Sequence, residues 1–332
     1  MKILIVTQRN CIRTLKQLIA LSHTNEVHLI TKRLPSGKWC KTVTYYNGDE
    51  SSLREALKLY DFVDIVYVHS EPSWIVFNVR EVLSDKKVIL DIHDAQVWRS
   101  ADPRYRSAEE RLAFKWADAL VVPSNACKRV LAPSLPCVVL PPYCNEFVYQ
   151  ARSWGWRGGI VYEGRVDLPA EEKFMDYAKY DLLAKELDKR KIAFHIYLPA
   201  KSDKDIEPWR KIYEKICFFH KGLLYEQMLS VLGFYDWGLC GNIKSYRNWN
   251  LAMPNKVFDY MAGGIPIIAL NAKEAGKFVE KHGIGISVKS LDEIEKRWNE
   301  RQECQKNVFL KRHNFTMEKH IHVVEDLMRS LL

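Results

Sequence analysis

The sequence predicts an α/β protein made of two doubly wound, Rossmann-like domains in tandem. Short apolar, β-branched runs alternate with amphipathic stretches, and the alternation lapses once, over residues 144–157, before it restarts. Unbroken apolar strands separated by helices mean parallel sheets covered on both faces. A chain of 332 residues also exceeds one ordinary core and suits two.

In the first half the strands are "KILIVTQ" (2–8), "EVHLIT" (26–31), "VTYY" (43–46), "DIVYVHS" (64–70), "KVILDIHD" (87–94), "ALVVPS" (119–124) and "CVVLPPY" (137–143). Amphipathic segments such as 51–60 and 107–117 separate them. The stretch "CNEFVYQARSWGWR" has no periodicity and sets the boundary. Beyond it come "GIVYEGR" (159–165), "AFHIYLP" (193–199), "CFFHKG" (217–222), "DWGLCG" (236–241), "IPIIAL" (265–270) and "GISVKS" (285–290). Helices are expected near 174–190, 204–216, 223–234, 250–263, 272–281 and 291–304. The domains are therefore 1–150 and 151–315, followed by an amphipathic helix at 316–332 with the option of crossing back to the first domain. Ligands of doubly wound sheets bind outside the carboxyl ends of the strands. A cleft between the domains is expected, lined by Gln8–Asn10, His69–Ser70, His93–Asp94, Gly164–Arg165, Pro199, Gly222 and Gly241–Asn242.

The composition, 47% hydrophobic and 27% charged, is that of an ordinary globular protein. No apolar run approaches the roughly 20 residues of a membrane span. The apolar start "MKILIVTQRN" is too short for a signal-peptide core and reads as a buried strand. Eight cysteines are scattered without a CxxC pair or a metal-ligand spacing, so reduced thiols in the cytoplasm are expected. The net charge of +9 is uneven: residues 1–45 carry eight Lys/Arg against Glu26 alone. Such a segment is either a solvated face or an attraction to something anionic, namely a membrane surface, a phosphorylated acceptor or nucleic acid. No usual nucleic-acid motif accompanies it.

Two segments carry chemistry. In "GRVD", Gly164 lets a ligand approach the backbone and Arg165 offers a permanent fork-shaped cation, a combination that suits a diphosphate. Alone it is also a glycine turn with a surface arginine. In "MPNKVFDYMAGGIPII", Pro254 fits a first helical turn, whose free N–H groups and Lys256 favour an anion. Asp259, close to one turn on, could accept both hydroxyls of a ribose. Gly263–Gly264 end the helix and let it pack on the following strand. Alone, Asp259 is also a helix-dipole charge and the glycines a C-cap.

Together these segments resemble the retaining GT-B glycosyltransferases, in particular the family 4-like group. "PNKVFDYMAGGIPIIAL" (254–270) is similar to that group's Pro-x-Lys-x-Phe-Glu-Tyr-Met-Ala-x-Gly-x-Pro signature. "KILIVTQ", "VILDIHDA" (88–95), "RLAFKWADALVVPS" (111–124), "VYEGRVD" (161–167) and "FFHKGLLYEQMLSVLGFYDWGLC" (218–240) resemble its other segments in the same order. The resemblance implies the GT-B fold, two Rossmann-like domains facing across a cleft, and a nucleotide-diphosphate sugar as donor. It places Asp259 on the ribose, Arg165 on the diphosphate with Lys256 or Lys173 as second cation, and Gly164, Gly222, Pro254 and Asn255 around the donor. His93 falls near the anomeric centre, with Asp94 orienting it or the acceptor; Arg9, Asn10 and Arg13 mark the acceptor side.

The chain departs from the pattern in places. The first residue of the group's Glu-x7-Glu pair is Leu251, leaving Asn248, Asn250 and Asn255 as nearby polar residues, and the second is Asp rather than Glu. Lys173 lies eight residues beyond Arg165, and the loop Thr7–Asn10 lacks glycine. The expected activity is transfer of a hexose-type sugar to a hydroxyl of a glycan, lipid-linked or cell-envelope acceptor, with retention and without a metal or cofactor. The basic N-terminal segment adds the expectation of peripheral attachment to an anionic membrane. The rival readings are a nucleotide-sugar epimerase or hydrolase, a DNA-directed glycosyltransferase, and a non-catalytic nucleotide-sugar-binding relative.

Overall fold

The computed structural model describes residues 1–8, 11–33, 37–69, 73–99, 107–150, 157–168, 178–199 and 203–332. The chain divides into two compact units, Met1–Asn145 with Met317–Leu332, and Glu146–Thr316.

Unit 1 is built on seven parallel strands: β1 (Lys2–Thr7), β2 (Glu26–Thr31), β3 (Thr42–Tyr45), β4 (Ile65–His69), β5 (Lys87–Asp91), β6 (Ala119–Val122) and β7 (Cys137–Val139). Their order is β3-β2-β1-β4-β5-β6-β7. Every residue of β4 is buried, as a strand covered on both faces requires. Three of its helices start where a short polar side chain takes a first-turn amide: Asp49 accepts from Ser52 N, Ser107 from Glu110 N and Ser124 from Cys127 N.

Unit 2 repeats the plan with six parallel strands: β8 (Ile160–Glu163), β9 (Phe194–Pro199), β10 (Phe218–Leu223), β11 (Trp237–Gly241), β12 (Ile267–Leu270) and β13 (Gly285–Val288). The order β10-β9-β8-β11-β12-β13 is again the doubly wound 3-2-1-4-5-6 arrangement. In each sheet the strand order reverses beside the first strand, so the switch points lie between β1 and β4 and between β8 and β11. Tyr162, Tyr180, Tyr213, Trp237 and Phe194 fill the core of unit 2.

The helix expected over 250–263 is two helices, Arg247–Leu251 and Asn255–Gly263. Pro254 explains the break, because a proline keeps the residue before it out of the helical region. Pro254 is therefore the N-cap, extended at φ −80° and ψ 155°, and not a residue of the first turn. Gly264 ends the helix in the left-handed region at φ +79°. A Cβ on Gly263 would lie 2.6 Å from Leu232 Cβ, and one on Gly264 the same distance from Phe309. The two glycines thus admit neighbouring helices, not the following strand. On the strand side it is Gly238 of β11 that makes room, for the ring of Tyr260.

The last segment, expected as one helix, forms Met317–His320 and His322–Leu331. It packs on the Ile12–Ser22 helix and on β7, burying Met317, Ile321, Val324 and Met328. Glu325 Oε1 accepts hydrogen bonds from Thr24 and Asn25, and Glu318 accepts one from Asn145 at 2.9 Å. Among the described residues no helix is long and apolar enough to cross a membrane.

Candidate functional site

In unit 2 the residues singled out from the sequence gather at the carboxyl end of the sheet. β8 runs into Gly164, whose φ of +126° only glycine adopts without strain. The turn is held by Tyr162 Oη donating to Arg165 O at 2.9 Å. The Arg165 side chain is 59% exposed, and its Nε donates to the buried Asp167 at 2.8 Å. A fixed carboxylate thus aims an otherwise solvated cation. Lys256 comes to the same turn from the Asn255–Gly263 helix. Its Nζ would sit 3.5 Å from a Cβ on Gly164, and it lies over the rings of Tyr162 at 4.7 Å and Trp249 at 5.0 Å. Burial works against its charge, but Tyr162, Cys240 and Glu163 outweigh it and raise its pKa, so it stays an ammonium.

The helix that carries Lys256 begins without a side-chain cap, and Asn255 Oδ1 beside it is buried without a hydrogen-bond partner. Uncapped amides, a cation and an unsatisfied acceptor at one helix N-terminus suit an anion carrying hydroxyls. Tyr260 pins this helix to the sheet, its hydroxyl meeting Leu239 O at 3.0 Å and Val161 O at 3.3 Å. Asp259 is buried, and its Oδ1 accepts from Tyr225 Oη at 3.0 Å. The sequence reading missed Tyr225, although it lies three residues past Gly222 in a segment already singled out. Gly222 itself has a structural place: a Cβ there would lie 2.6 Å from the carbonyls of Leu198 and Pro199. Asn250, one of the polar residues considered near the missing glutamate, donates to Ser245 Oγ at 2.8 Å. Lys173 lies outside the described residues.

In unit 1 a second set of groups meets at the β1–β4 switch point. Asp91, the last residue of β5, is fully buried and receives Arg13 Nε at 3.0 Å, Arg13 Nη2 at 2.8 Å and Gln17 Nε2 at 2.7 Å. His93 Nε2 lies 2.9 Å from the same Asp91 Oδ2, and His93 Nδ1 lies 3.3 Å from Cys11 Sγ. Burial alone would raise the Asp91 pKa; Arg13 and then His93 outweigh it and hold the carboxylate far below its usual range. Burial would lower His93, but Asp91 and Cys11 push it up to about 9. His69, sealed at the end of β4, is lowered to about 3 by burial and stays neutral.

Three expectations change here. Asp91 holds His93 through Nε2, where the sequence offered Asp94 to orient either His93 or the acceptor. Arg13 was expected on the acceptor side with Arg9 and Asn10, yet it is buried in the Asp91 pair, and it also donates to Leu140 O. Lys16 is buried too, its Nζ 3.3 Å from Pro142 O. Arg9 and Asn10 lie outside the described residues. The helix therefore offers neither Arg13 nor Lys16 to an anionic surface. His69, Asp91 and His93 place donor atoms within 4.8 Å of one another, a spacing that could hold a metal ion. The donor set fits one poorly, because Asp91 Oδ2 is already engaged by Arg13, Gln17 and His93 and the Arg13 cation sits against it.

Residues 189–320 match the family model "Glucosyltransferase 3-like, C-terminal domain". No curated protein matches the chain significantly. Among solved structures, sucrose-phosphate synthase from Thermosynechococcus elongatus superposes with a TM-score of 0.74 at 12% identity, covering 100% of this chain and 99% of that one. The chain has the GT-B fold. Anabaena HepE in complex with UDP shares this GT-B architecture at a TM-score of 0.69 and 10% identity, with both chains fully covered. An alpha-glucosyltransferase in complex with UDP and a 13-mer DNA containing an HMU base follows at 0.61 and 15% identity, covering 98% and 99%. In GT-B terms the matched 132-residue family segment falls on unit 2 but for its last four residues, and it contains Lys256, Asp259 and Tyr225.

Proposed function

We propose that this chain is a metal-independent, retaining glycosyltransferase of the family 4-like group. It would move a hexose-type sugar from a nucleotide diphosphate to a hydroxyl of a glycan, lipid-linked or cell-envelope acceptor. The observation that carries the reading is the convergence of Arg165, Lys256 and an uncapped helix N-terminus at the turn after β8, with Asp259 one helical turn away. The leaving diphosphate gains negative charge as the glycosidic bond breaks. Fixed cations and amides aimed at it lower that barrier without reorganising. Retention then follows from same-face attack, in which a donor phosphate oxygen takes the acceptor proton and no protein nucleophile is needed. His93, held cationic by Asp91, is the unit 1 residue proposed to lie near the reacting sugar.

UDP is the first nucleotide to try, because HepE and the alpha-glucosyltransferase were solved with it. The DNA-acceptor reading leaned on the basic N-terminal segment, and the burial of Arg13 and Lys16 removes part of that support. Attachment to an anionic bilayer now rests on the exposed Arg33, Lys38 and Lys41, of which Lys38 lies over the Trp39 ring at 5.1 Å. A panel of UDP, GDP and their sugars in a thermal-shift assay tests donor binding, since a ligand that binds only the folded state raises its stability. Turnover with labelled donor then separates the readings. Sugar transferred to an added acceptor supports the transferase. Donor consumed without an acceptor product indicates an epimerase or hydrolase, and binding without turnover a non-catalytic relative.

A further inference from the structure

We infer that Cys11 and His93 form a thiolate–imidazolium pair, making Cys11 a peroxide-sensitive modification site at the head of the Ile12–Ser22 helix. The geometry is that of an activated thiol. Its sulfur lies 3.3 Å from His93 Nδ1, and His93 is turned by a third group, Asp91, at 2.9 Å from Nε2. Asp91 cannot swing away, because Arg13 and Gln17 fix both of its oxygens. Cys11 is also the N-cap of an 11-residue helix; its side chain makes no capping hydrogen bond, but the positive end of the helix favours the anion. It is partly exposed.

The surrounding charges agree with this assignment. Tyr67 and His69 on β4 are held neutral by burial, and Arg13 on the helix is spent on Asp91. Lys16 points to Pro142 O, and Asp94 follows His93 in the loop after β5. Burial pushes the Cys11 thiol up, but His93 and the first-turn amides outweigh it and bring it down to about 7. Burial instead drives Cys137 and Cys304 up to about 11 and Cys217 and Cys240 up to about 12.

With peroxide the chemistry balances. The thiolate sulfur attacks one peroxide oxygen, an S–O bond forms and the O–O bond breaks. The departing hydroxide takes the proton held at His93 Nδ1 and leaves as water. Sulfur is oxidised by two electrons, the peroxide is reduced, and His93 is left neutral beside a sulfenic acid. Modification at Cys11 thus removes the anion that keeps the outer face of His93 protonated.

The test is independent of any sugar transfer. The full-length protein is alkylated with iodoacetamide from pH 5.5 to 9.5, and each cysteine is followed by peptide mass spectrometry. Cys40, also partly exposed, is the internal comparator. The Cys11 rate should rise with a midpoint near pH 7, and at pH 6 it should exceed that of Cys40 about fivefold. That modest factor follows because a thiolate of lower pKa is more abundant but less nucleophilic. In His93→Gln the midpoint should move up toward the ordinary thiol value of about 8.5. After a peroxide pulse, dimedone should label Cys11 ahead of Cys40. A wild-type midpoint at or above 8.5, or dimedone label no faster on Cys11 than on Cys40, overturns the assignment. The wild-type profile decides by itself if His93→Gln does not fold.

Discussion

Arg13→Met should loosen the whole of unit 1. The substitution keeps most of the side-chain volume and removes the cation that faces Asp91 through Nε and Nη2 at 3.0 and 2.8 Å. Breaking a buried pair by deleting one partner typically costs about 3–5 kcal/mol, because the other charge stays buried and uncompensated. Here the low end is expected, since Gln17 and the His93 imidazolium still donate to Asp91. Loss of the Arg13 bond to Leu140 O works in the opposite direction. The assay is native-state hydrogen exchange at Val66 and Ile89, which are fully buried on β4 and β5 and open only with the sheet. A loss of 3 kcal/mol or more appears as exchange faster by about a hundredfold or more at 1.4 kcal/mol per decade. Arg13→Met with Asp91→Asn should recover much of the loss, because no carboxylate is then stranded and His93 can rest neutral. Exchange in the single variant within tenfold of wild type would show that the pair does not hold unit 1 together.

Asp259→Ala should weaken nucleotide binding by about 1.5–3 kcal/mol, the value of a charge-assisted hydrogen bond; unchanged affinity by calorimetry in a folded variant would remove Asp259 from the site. Tyr225→Phe should alter that affinity by no more than about 1 kcal/mol, since it deletes one neutral donor to Asp259. Arg165→Ala should lower turnover by roughly 10²–10³ with little change in melting temperature, because the side chain is largely exposed; activity within a few-fold of wild type would contradict the diphosphate assignment. Unit 2 should lose stability as pH falls from about 6.5 toward 4. His195 and His220, 3.0 Å apart and stacked, are both lowered to about 4 by burial, so the unfolded chain binds protons in that window that the folded chain refuses. His195→Phe, which continues the stack on Phe218, should flatten the dependence by about 1–3 kcal/mol; a melting profile as steep as wild type would refute the cause.

The thirteen strands among the described residues could be read from the sequence: central ones such as β4 are apolar on both faces, a local signal, while edge strands such as β3 and β10 showed only β-branched or aromatic runs. The donor-side turn was legible for a related reason, since glycine, arginine and the helix N-terminus lie within short segments. The unit 1 cluster was not. Arg13 looked like a surface cation because its partner Asp91 is 78 residues away, and a charge count says nothing of such a pair. Cys11 carried no spacing motif, since its histidine is 82 residues distant. Pro254 was read correctly as a helix-start signal but placed one step inside, and the missed consequence was a break after Leu251. Gly263 was read as room for the strand, whereas the close neighbour is Leu232 of the Tyr225–Leu232 helix, which sequence distance hides.

The return of Met317–Leu332 to unit 1 has a consequence for biosynthesis. A ribosome makes β1 through β7 first, yet the segment that covers Thr24, Asn25 and Asn145 is translated only after all of unit 2. At typical elongation rates that interval is on the order of ten to thirty seconds. During it unit 1 has its sheet but lacks the buried Met317, Ile321, Val324 and Met328. Unit 2 is contiguous, so it can close while unit 1 still waits. The older half of the nascent chain is therefore the younger half of the finished fold, and the one that a chaperone near the tunnel exit would have to shield.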